Sequence, residues 1–324
     1  MPFREIARAK INLTLTVLGR RPDGYHDLES LVTFAGIGDR VTLLPGPDCG
    51  VTTSGPFAAH IEGPNLLDRA LGLLREQDPG LRLGAVELEK NLPVAAGLGG
   101  GSADAAALLR AVRQVNPERT DRIDWHGLAT RLGADVPVCL AGVPALIRGI
   151  GDRIEPLGPA RRLPPLAAVL VNPRVPLPTA QVFRALAASS PSPRTSWGEG
   201  RGEGQTLAPA SVAAPHPNPL PTEEWGEGTG AAPGATGPFQ DLEALVAYVR
   251  THGNDLEPPA ISLLPAIADV KAALSAQPAC RLAAMSGSGP TCFGIFGNAT
   301  DAARAAAALA ATHPDWWIAH TRLD

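Results

Sequence analysis

Cysteine is scarce in this chain of 324 residues, and the spacing of the cysteines excludes two kinds of site. None of the four forms a C-x-x-C pair, so neither a zinc knuckle nor a dithiol redox motif is expected. Four cysteines in a chain of this length are also too few for a disulfide scaffold. The sequence therefore predicts a protein that works with reduced thiols.

Long apolar runs are missing as well. The longest, Val136 to Ile147, has about 12 residues and contains glycine and proline, whereas a bilayer span needs roughly 20. Arg4, Arg8 and Lys10 stand where a signal peptide has its apolar run. We therefore expect a soluble, cytoplasmic protein without a membrane partner.

A basic excess is also absent. Lys and Arg number 28 against 32 Asp and Glu, which gives a net charge of −4. A protein whose main task is to hold nucleic acid normally carries a positive excess, so no nucleic-acid partner is expected. The charge balance leaves the binding of a single nucleotide open.

Strand and helix patterns alternate along the chain, whose length suggests two domains. Apolar residues at every second position from Ile11 to Val17 predict an N-terminal strand, with Lys10, Asn12 and Thr14 on its polar face. The spacing of apolar residues and caps predicts helices over 66–76, 102–113, 124–133 and 300–312, helix starts near 179 and 241, and strands over 86–89, 166–171 and 292–296. This alternation favours the α/β or the α+β class.

The segment from Pro191 to Pro238 departs from that pattern. Its 48 residues include nine prolines and nine glycines but only three leucine or valine side chains. It cannot bury enough apolar surface to offset the entropy of ordering, so we predict a disordered insertion at about 190–238. Trp-Gly-Glu-Gly occurs at Trp197 and again at Trp225, which leaves a partner-binding motif as the alternative.

Two glycine-rich segments are candidate ligand loops. The first, Pro93 to Ala103, lies between a predicted strand and a predicted helix, where free N–H groups and the helix N-terminus favour a phosphate chain. It is not a Walker A loop, since no lysine follows its last glycine, and Ser102 breaks the dinucleotide fingerprint. The second, Met285 to Pro290, is either a structural turn or a ligand-facing loop. A tight packing turn remains the alternative for the first.

Lys10 and Asp135 are the charged residues in suggestive settings. Beside a phosphate donor, an aspartate can accept the proton of an attacking hydroxyl, and a lysine can stabilise the developing alkoxide. The alternatives are a lysine at a strand edge and an aspartate that caps a helix.

Four motifs in order resemble the 4-diphosphocytidyl-2-C-methyl-D-erythritol kinase family of the GHMP kinase superfamily: Ala9–Leu13, Asp23–His26, Pro93–Ala103 and Gly133–Pro137. Later segments agree with it: Arg148–Asp152, Pro178–Phe183, Asn254–Glu257 and Met285–Pro290. The resemblance covers nearly the whole chain except the insertion. The glycine loop alone indicates only the superfamily, whereas Lys10 and Asn12 with Asp23–His26 indicate this family.

The resemblance implies a two-domain α+β GHMP kinase fold. Residues 1–160 form a ribosomal-S5-like, ATP-binding domain, and residues 161–324 form a ferredoxin-like domain that carries the insertion. The implied reaction is ATP-dependent phosphorylation of the 2-hydroxyl of 4-diphosphocytidyl-2-C-methyl-D-erythritol, in non-mevalonate isoprenoid precursor biosynthesis. The implied partner is thus a small cytidyl substrate, and we expect a monomer or a weak homodimer.

The resemblance also assigns residues to roles. The loop residues that follow ATP are Pro93, Val94, Ala95, Ala96, Gly97, Leu98, Gly99, Gly100, Gly101, Ser102 and Ala103. Asn65 and Lys90 match contacts to the nucleoside part of ATP. Tyr25 and His26 match the cytidine site, where a ring stacks on the base.

Three further roles follow from the same resemblance. Asn12 and Thr179 match contacts to the methylerythritol unit or its diphosphate, and Lys10 and Asp135 match the catalytic pair. Mg²⁺ accompanies ATP because the phosphate charge needs screening, with Ser102 as its contact on the protein.

The first glycine loop departs from the family pattern. Family members usually have glycine where Ala95 or Ala96 stands and a second serine where Ala103 stands. A methyl group at Ala95 narrows the allowed backbone, and Ala103 removes a possible phosphate hydroxyl.

Three alternatives stay open at this point. Another GHMP kinase, of the homoserine or mevalonate type, is disfavoured by Tyr25 and His26. A non-catalytic nucleotide-binding protein is disfavoured by the presence of both Lys10 and Asp135. A Rossmann dehydrogenase is disfavoured by the broken fingerprint.

Overall fold

The computed structural model describes residues 1–61, 63–158, 162–189, 239 and 241–324. Its strands are β1 (Phe3–Asn12), β2 (Thr16–Arg20), β3 (His26–Pro45), β4 (Gly50–Ser54), β5 (Gly84–Glu89), β6 (Ala145–Gly149), β7 (Arg153–Pro156), β8 (Leu166–Asn172), β9 (Cys280–Met285), β10 (Cys292–Phe296) and β11 (Trp317–Leu323). Its α-helices are α1 (Leu66–Gln77), α2 (Gly100–Val115), α3 (Trp125–Leu132), α4 (Val136–Ala141), α5 (Thr179–Ser189), α6 (Leu242–His252), α7 (Glu257–Leu263), α8 (Ala266–Ser275) and α9 (Ala299–Thr312). Short 3-10 helices cover Ala58–His60 and Pro117–Arg122. The predicted insertion at about 190–238, with both tryptophan repeats, lies outside the described residues.

One long strand organises the first half of the fold. β3 has 20 residues and pairs in the antiparallel sense with β1, β2, β5 and β6 along its length. β4 extends this sheet by pairing in parallel with β5, and α1 makes the crossover between them. α2 packs on β1 and β3, where its alanine and leucine side chains enter an apolar core.

The second half of the fold has the ferredoxin-like arrangement. β8 to β11 lie side by side in the order β11–β8–β10–β9, and each neighbouring pair is antiparallel. Helices α5 to α8 follow β8 in the chain, and α9 connects β10 to β11. This β-α-β-β-α-β succession matches the implied C-terminal fold. The class is therefore α+β, as the resemblance implied.

The two halves share a sheet and a core. Leu323 of β11 pairs with Ala35 of β3, and Ile11 from the first half lies in the same apolar cluster as Phe293 from the second. The expected boundary near residue 160 falls between β7 and β8, beside residues 159–161, which the structure does not describe. The division into two domains at this point stays a prediction.

The N-terminal strand differs from its prediction. β1 ends at Asn12, because the N–H groups of Leu13 and Thr14 both donate to the Leu31 carbonyl oxygen, at 2.8 and 3.4 Å. The chain re-enters the sheet at Thr16, so Thr14 does not continue a polar strand face. The other predicted helices and strands are confirmed to within two residues of their ends.

Two further observations on the described residues concern the cysteines and the length of the helices. All four cysteines are free thiols. No described helix has the length and apolar character that a membrane span requires.

Candidate active site

A cavity of about 1020 Å³ is lined by both glycine-rich loops and by residues from both halves of the fold. Seventeen of the nineteen site residues expected from the sequence line it. The exceptions are Leu98 and Ala103, whose side chains are 1% and 2% exposed and pack in the apolar core. The missing serine at position 103 therefore concerns a core position and not the cavity wall.

The first glycine loop presents a helix N-terminus to the cavity. Gly99 occupies the N-cap position of α2 with a φ of 61° and has no side chain to satisfy the first N–H groups of the helix. Those unpaired groups, from Gly100 to Ser102, can donate hydrogen bonds to an anion, which the positive end of the helix dipole also attracts. A Cβ at Gly99 would lie 3.3 Å from the Cβ and Cε atoms of Lys10, so glycine allows the lysine to approach the loop.

The second glycine loop braces the first. Ser286 Oγ donates to the Gly97 carbonyl oxygen at 3.0 Å, and Thr291 N donates to Ala96 O at 3.3 Å. A Cβ at Gly97 would come within 2.4 Å of the Ser286 carbonyl oxygen, so the contact requires glycine there. Gly287 and Ser288 line the cavity. The second cluster thus supports the first loop and also forms part of the cavity wall.

Ala95 carries backbone strain that its neighbour does not. Its φ is 51°, in the left-handed region that costs a residue with a Cβ roughly 1–2 kcal/mol. Glycine also makes the unfolded chain more flexible, which lowers the free energy of unfolding by about 0.4–1 kcal/mol. Because relief of the strain is the larger effect, we expect Ala95→Gly to raise the free energy of unfolding by up to about 1 kcal/mol. Denaturant titration measures the change. Ala96→Gly, at a buried position without positive φ, is the matched control and should lower stability; a destabilised Ala95→Gly protein would contradict the strain.

Lys10 and Asp135 form an ion pair in the wall of the cavity. Lys10 Nζ donates to Asp135 Oδ1 at 2.6 Å, and the two side chains are 5% and 39% exposed. Lys10 is not a free edge lysine, because its backbone N–H donates to Leu98 O at 2.9 Å and ties β1 to the glycine loop. Asp135 stands at the N-cap position of α4 but makes no capping hydrogen bond with its side chain. The ion pair between the two side chains is thus an arrangement that neither structural alternative predicts.

Lys90 lies between two carboxylates beneath the first turn of α2. Its Nζ donates to Asp39 Oδ2 at 2.5 Å and to Asp104 Oδ2 at 2.8 Å, and all three side chains are at most 5% exposed. Burial opposes the charge on Lys90, but the two carboxylates outweigh it and raise its pKa above the ordinary value. Burial raises the pKa of Asp104 to about 7. The ammonium group is thus committed to ion pairs, although the residue also lines the cavity.

The Lys90 cluster also holds the chain that enters the glycine loop. Asp39 Oδ1 accepts hydrogen bonds from the backbone N–H groups of Asn91 and Leu92, at 2.6 and 2.8 Å. These two residues precede Pro93 directly. The cluster therefore fixes β3, the start of the loop and α2 relative to one another.

Asn65 stands at the start of α1 in the cavity wall. Its Oδ1 accepts from Leu67 N at 3.0 Å and caps the helix, which leaves its amide N–H group without a partner among the described residues. That donor is available to a nucleoside, as the resemblance implies.

Three aromatic rings gather at another part of the cavity. Tyr25 is 56% exposed, and the His26 ring stacks on Phe183 with 4.9 Å between centroids. Phe183 lies on α5, one turn after Thr179. The structure therefore brings together two segments that the sequence separates widely and offers flat apolar faces for a planar base.

Asn12 and Thr179 are the remaining expected substrate contacts. Asn12 is buried, donates to Ser30 Oγ at 2.8 Å through its side chain, and donates to Ser286 Oγ at 3.1 Å through its backbone. Thr179 Oγ1 lies 2.7 Å from Ser288 Oγ. Both therefore connect the cavity wall to the second glycine loop.

Sequence reasoning missed several residues of this site. Asp39 and Asp104 were not singled out, although an acidic residue inside an alanine-rich buried helix is a usable signal of a buried ion pair. Phe183 was part of the Pro178–Phe183 motif but was not expected to be a site residue. Arg20 and Arg184, which also line the cavity, follow from the fold and from no local pattern.

Comparison with known proteins places these features in a family. A model described as GHMP kinases N terminal domain matches residues 65–143, and one described as GHMP kinases C terminal matches residues 238–315. The chain is 50% identical over 98% of its length to a 4-diphosphocytidyl-2-C-methyl-D-erythritol kinase of Methylobacterium radiotolerans, and it covers 97% of that protein. A kinase of the same name from a Bradyrhizobium species is 44% identical over 98% of this chain and 95% of its own length.

Solved structures agree with that relationship. A crystal structure of 4-(cytidine 5'-diphospho)-2C-methyl-D-erythritol kinase aligns with a TM-score of 0.68 and 33% identity over 99% of this chain and 98% of that one. Homoserine kinase from Cytophaga hutchinsonii aligns with a TM-score of 0.64 over 99% of this chain and 94% of its own, but at 18% identity it supports the fold alone.

Proposed function

The chain belongs to the 4-diphosphocytidyl-2-C-methyl-D-erythritol kinase family of GHMP kinases, and we propose that it transfers the γ-phosphoryl group of ATP to the 2-hydroxyl of that cytidyl substrate. The observation that carries this proposal is the Lys10–Asp135 pair, 2.6 Å apart in the cavity wall beside the open N-terminus of α2. The product serves non-mevalonate isoprenoid precursor synthesis.

The proposed reaction is a direct in-line transfer. The substrate hydroxyl oxygen forms a bond to the γ-phosphorus, and the bond from that phosphorus to the β–γ bridging oxygen breaks, leaving ADP. Asp135 accepts the hydroxyl proton, since its carboxylate is partly exposed in the cavity. Lys10 stabilises the negative charge on the attacking oxygen, and the N–H groups at the start of α2 hold the phosphates. Positioning and charge stabilisation carry most of the catalysis in such transfers.

Mg²⁺ fits this site as an ion held mainly by the nucleotide. No described group of three or more His, Cys, Asp or Glu side chains is arranged to hold a metal. Mg²⁺ commonly keeps several waters and binds through substrate phosphates with one or two protein ligands. We propose the Ser102 hydroxyl, in the first turn of α2 and in the cavity wall, as the protein ligand. The ion would screen the charge of the phosphates.

We place the cytosine base at the aromatic cluster and the adenosine near Asn65 and Lys90. Tyr25→Ala and His26→Ala are each expected to weaken the binding of the cytidyl substrate while leaving ATP binding close to that of the unmodified protein. Loss of one stacked ring typically costs about 1–3 kcal/mol by analogy with stacking on single-stranded nucleic acid. Calorimetric titration with each ligand measures the change. An equal loss of affinity for both ligands would show that the two residues support the fold and do not select the base.

The single most informative test of the function compares substrates. ADP release is measured by a coupled assay with 4-diphosphocytidyl-2-C-methyl-D-erythritol, homoserine and mevalonate, each at the same ATP concentration. We expect turnover with the cytidyl substrate alone. Turnover with homoserine or mevalonate would favour another GHMP kinase activity, and binding without any turnover would favour a non-catalytic protein.

The assembly and location of the protein are also proposals. We propose a monomer or a weak homodimer, as the family resemblance led us to expect. We propose the cytoplasm as its location, as expected of a kinase that acts on small soluble metabolites.

A further inference from the structure

Four cationic side chains line the cavity, and they differ in their partners. Lys10 and Lys90 are both held by carboxylates at 2.8 Å or less. Arg20 and Arg184 line the same cavity, are exposed, and have no carboxylate partner among the described residues. Within the described part of the chain, the Nε atom of Arg184 donates to the Ala180 carbonyl oxygen, at 3.3 Å. These two guanidinium groups are therefore the cations that the cavity leaves available to an anion.

Both arginines flank the stacked pair of His26 and Phe183. Arg20 is the register partner of His26 between β2 and β3, and directly opposed side chains in such a pair lie about 5 Å apart at Cβ. Arg184 follows Phe183 on α5, whose cavity-facing residues recur with the spacing of one helix face, at positions 179, 180, 183, 184 and 187. One arginine from a strand and one from a helix thus lie beside the same pair of stacked rings.

We propose that Arg20 and Arg184 bind the diphosphate of the cytidyl substrate. This inference rests on the proposed function, because it takes the base to stack at the aromatic cluster. A 5'-diphosphate leaves its nucleoside only a few bonds from the base and so falls within reach of long side chains at the edge of the stack. The phosphates of ATP have a separate site at the N-terminus of α2.

Arginine suits this task better than lysine does. Its planar guanidinium presents paired N–H donors that match two phosphate oxygens at once, and it loses little hydration on binding. The two other cations of the cavity, Lys10 and Lys90, are already paired with Asp135 and Asp104. The unpaired arginines therefore supply the positive charge that a diphosphate requires.

The test separates the contribution of the diphosphate to binding affinity from that of the base. The full chain is titrated calorimetrically with cytidine, cytidine monophosphate, cytidine diphosphate and ADP. Arg20→Ala and Arg184→Ala are each expected to lower the affinity for cytidine diphosphate about 10-fold or more. The affinities for cytidine and for ADP should change by less than about 2-fold. Arg184→Lys keeps the positive charge but not the paired N–H donors of the guanidinium, so it should retain only part of the affinity that Arg184→Ala loses.

Arg21→Ala is the matched control. Arg21 adjoins Arg20 in sequence, but its guanidinium pairs with Asp23 and Asp27 at 3.1 and 3.4 Å and does not line the cavity. Its removal should leave the affinity for all four ligands within about 2-fold. An equal effect of Arg21→Ala and Arg20→Ala on cytidine diphosphate would overturn the role of Arg20.

The possible results separate failure of the arginine site from failure of the proposed kinase function. Arginine variants that bind cytidine diphosphate as the unmodified protein does, or that lose cytidine and the diphosphate equally, overturn the inference while the kinase activity stands. Arginine variants that instead lower the affinity for ADP would show that these arginines contact ATP and not the cytidyl substrate. An unmodified protein that binds neither cytidine nor its diphosphate would overturn both the inference and the proposed function.

Discussion

Asp135→Asn is expected to lower kcat by about 10²–10⁴-fold, the usual cost of losing a proton-transfer group. The amide keeps the shape of the side chain and an oxygen that can accept the Lys10 hydrogen bond, so melting temperature and ATP affinity should stay close to those of the unmodified protein. Because an amide cannot take the hydroxyl proton, the loss should appear in kcat and not in KM. Steady-state kinetics with the cytidyl substrate measure it.

Asp315→Asn provides the control for that substitution. Asp315 is exposed, lies outside the cavity wall and has no ion pair among the described residues, so the same change should leave kcat within about 2-fold. Lys10→Met, which keeps the buried stem but removes the ammonium group, should also reduce kcat severely. An Asp135→Asn enzyme with more than about a tenth of the original kcat would show that Asp135 is not the proton acceptor.

Lys90→Met is expected to lower the free energy of unfolding by about 3–5 kcal/mol, because it leaves two buried carboxylates without their cation. Asp39 and Asp104 are 0% and 4% exposed at their side chains, so water cannot replace the ammonium group. Asp104→Asn keeps an oxygen for Lys90 and removes the surplus negative charge, so it should change stability by less than about 1 kcal/mol. Denaturant unfolding of both variants gives the comparison.

Lys271→Met is the matched substitution at a more exposed pair. Lys271 pairs with Glu257, with side chains 30% and 19% exposed, and a pair of that kind contributes about 1 kcal/mol or less. If Lys90→Met cost no more stability than Lys271→Met and instead only weakened ATP, Lys90 would be a nucleotide contact and not the centre of a structural cluster.

Local features of this fold could be predicted from the sequence because their causes are local. Asp124 caps α3 by accepting from Gly127 N at 2.8 Å, and Gly133 ends that helix. Asp241 caps α6 in the same way. A short polar side chain before an apolar run, and a glycine after it, are enough to place such helix ends.

The long strand β3 could not be predicted from periodicity. Its residues from Glu29 to Ala35 are all buried, since β1, β2 and β6 pair along it and both faces are covered. Alternation of apolar and polar side chains appears only where one face of a strand meets water. β11 was missed for a different reason, because His320 and Arg322 interrupt its apolar residues and it pairs only with distant segments.

The site required both the motifs and the fold. The resemblance named Lys10 and Asp135 as a pair, but only the structure brings residues 125 positions apart to 2.6 Å. Lys90 was expected to contact ATP, and although Asp104 in its alanine-rich helix signals a buried ion pair, no local pattern names Lys90 as its partner or adds Asp39. Contacts between distant segments depend on the sheet order, which no local pattern specifies.

The central claim is that this chain phosphorylates the 2-hydroxyl of its cytidyl substrate with Asp135 as the proton acceptor. Phosphorus NMR of the products, after incubation with ATP, Mg²⁺ and 4-diphosphocytidyl-2-C-methyl-D-erythritol, tests it most directly. We predict one new phosphomonoester signal, coupled to the carbon at position 2, together with ADP and an intact cytidyl diphosphate, and at most about a hundredth of that signal with Asp135→Asn over the same time. Inorganic phosphate in place of the monoester, or an undiminished monoester signal with Asp135→Asn, would contradict the account.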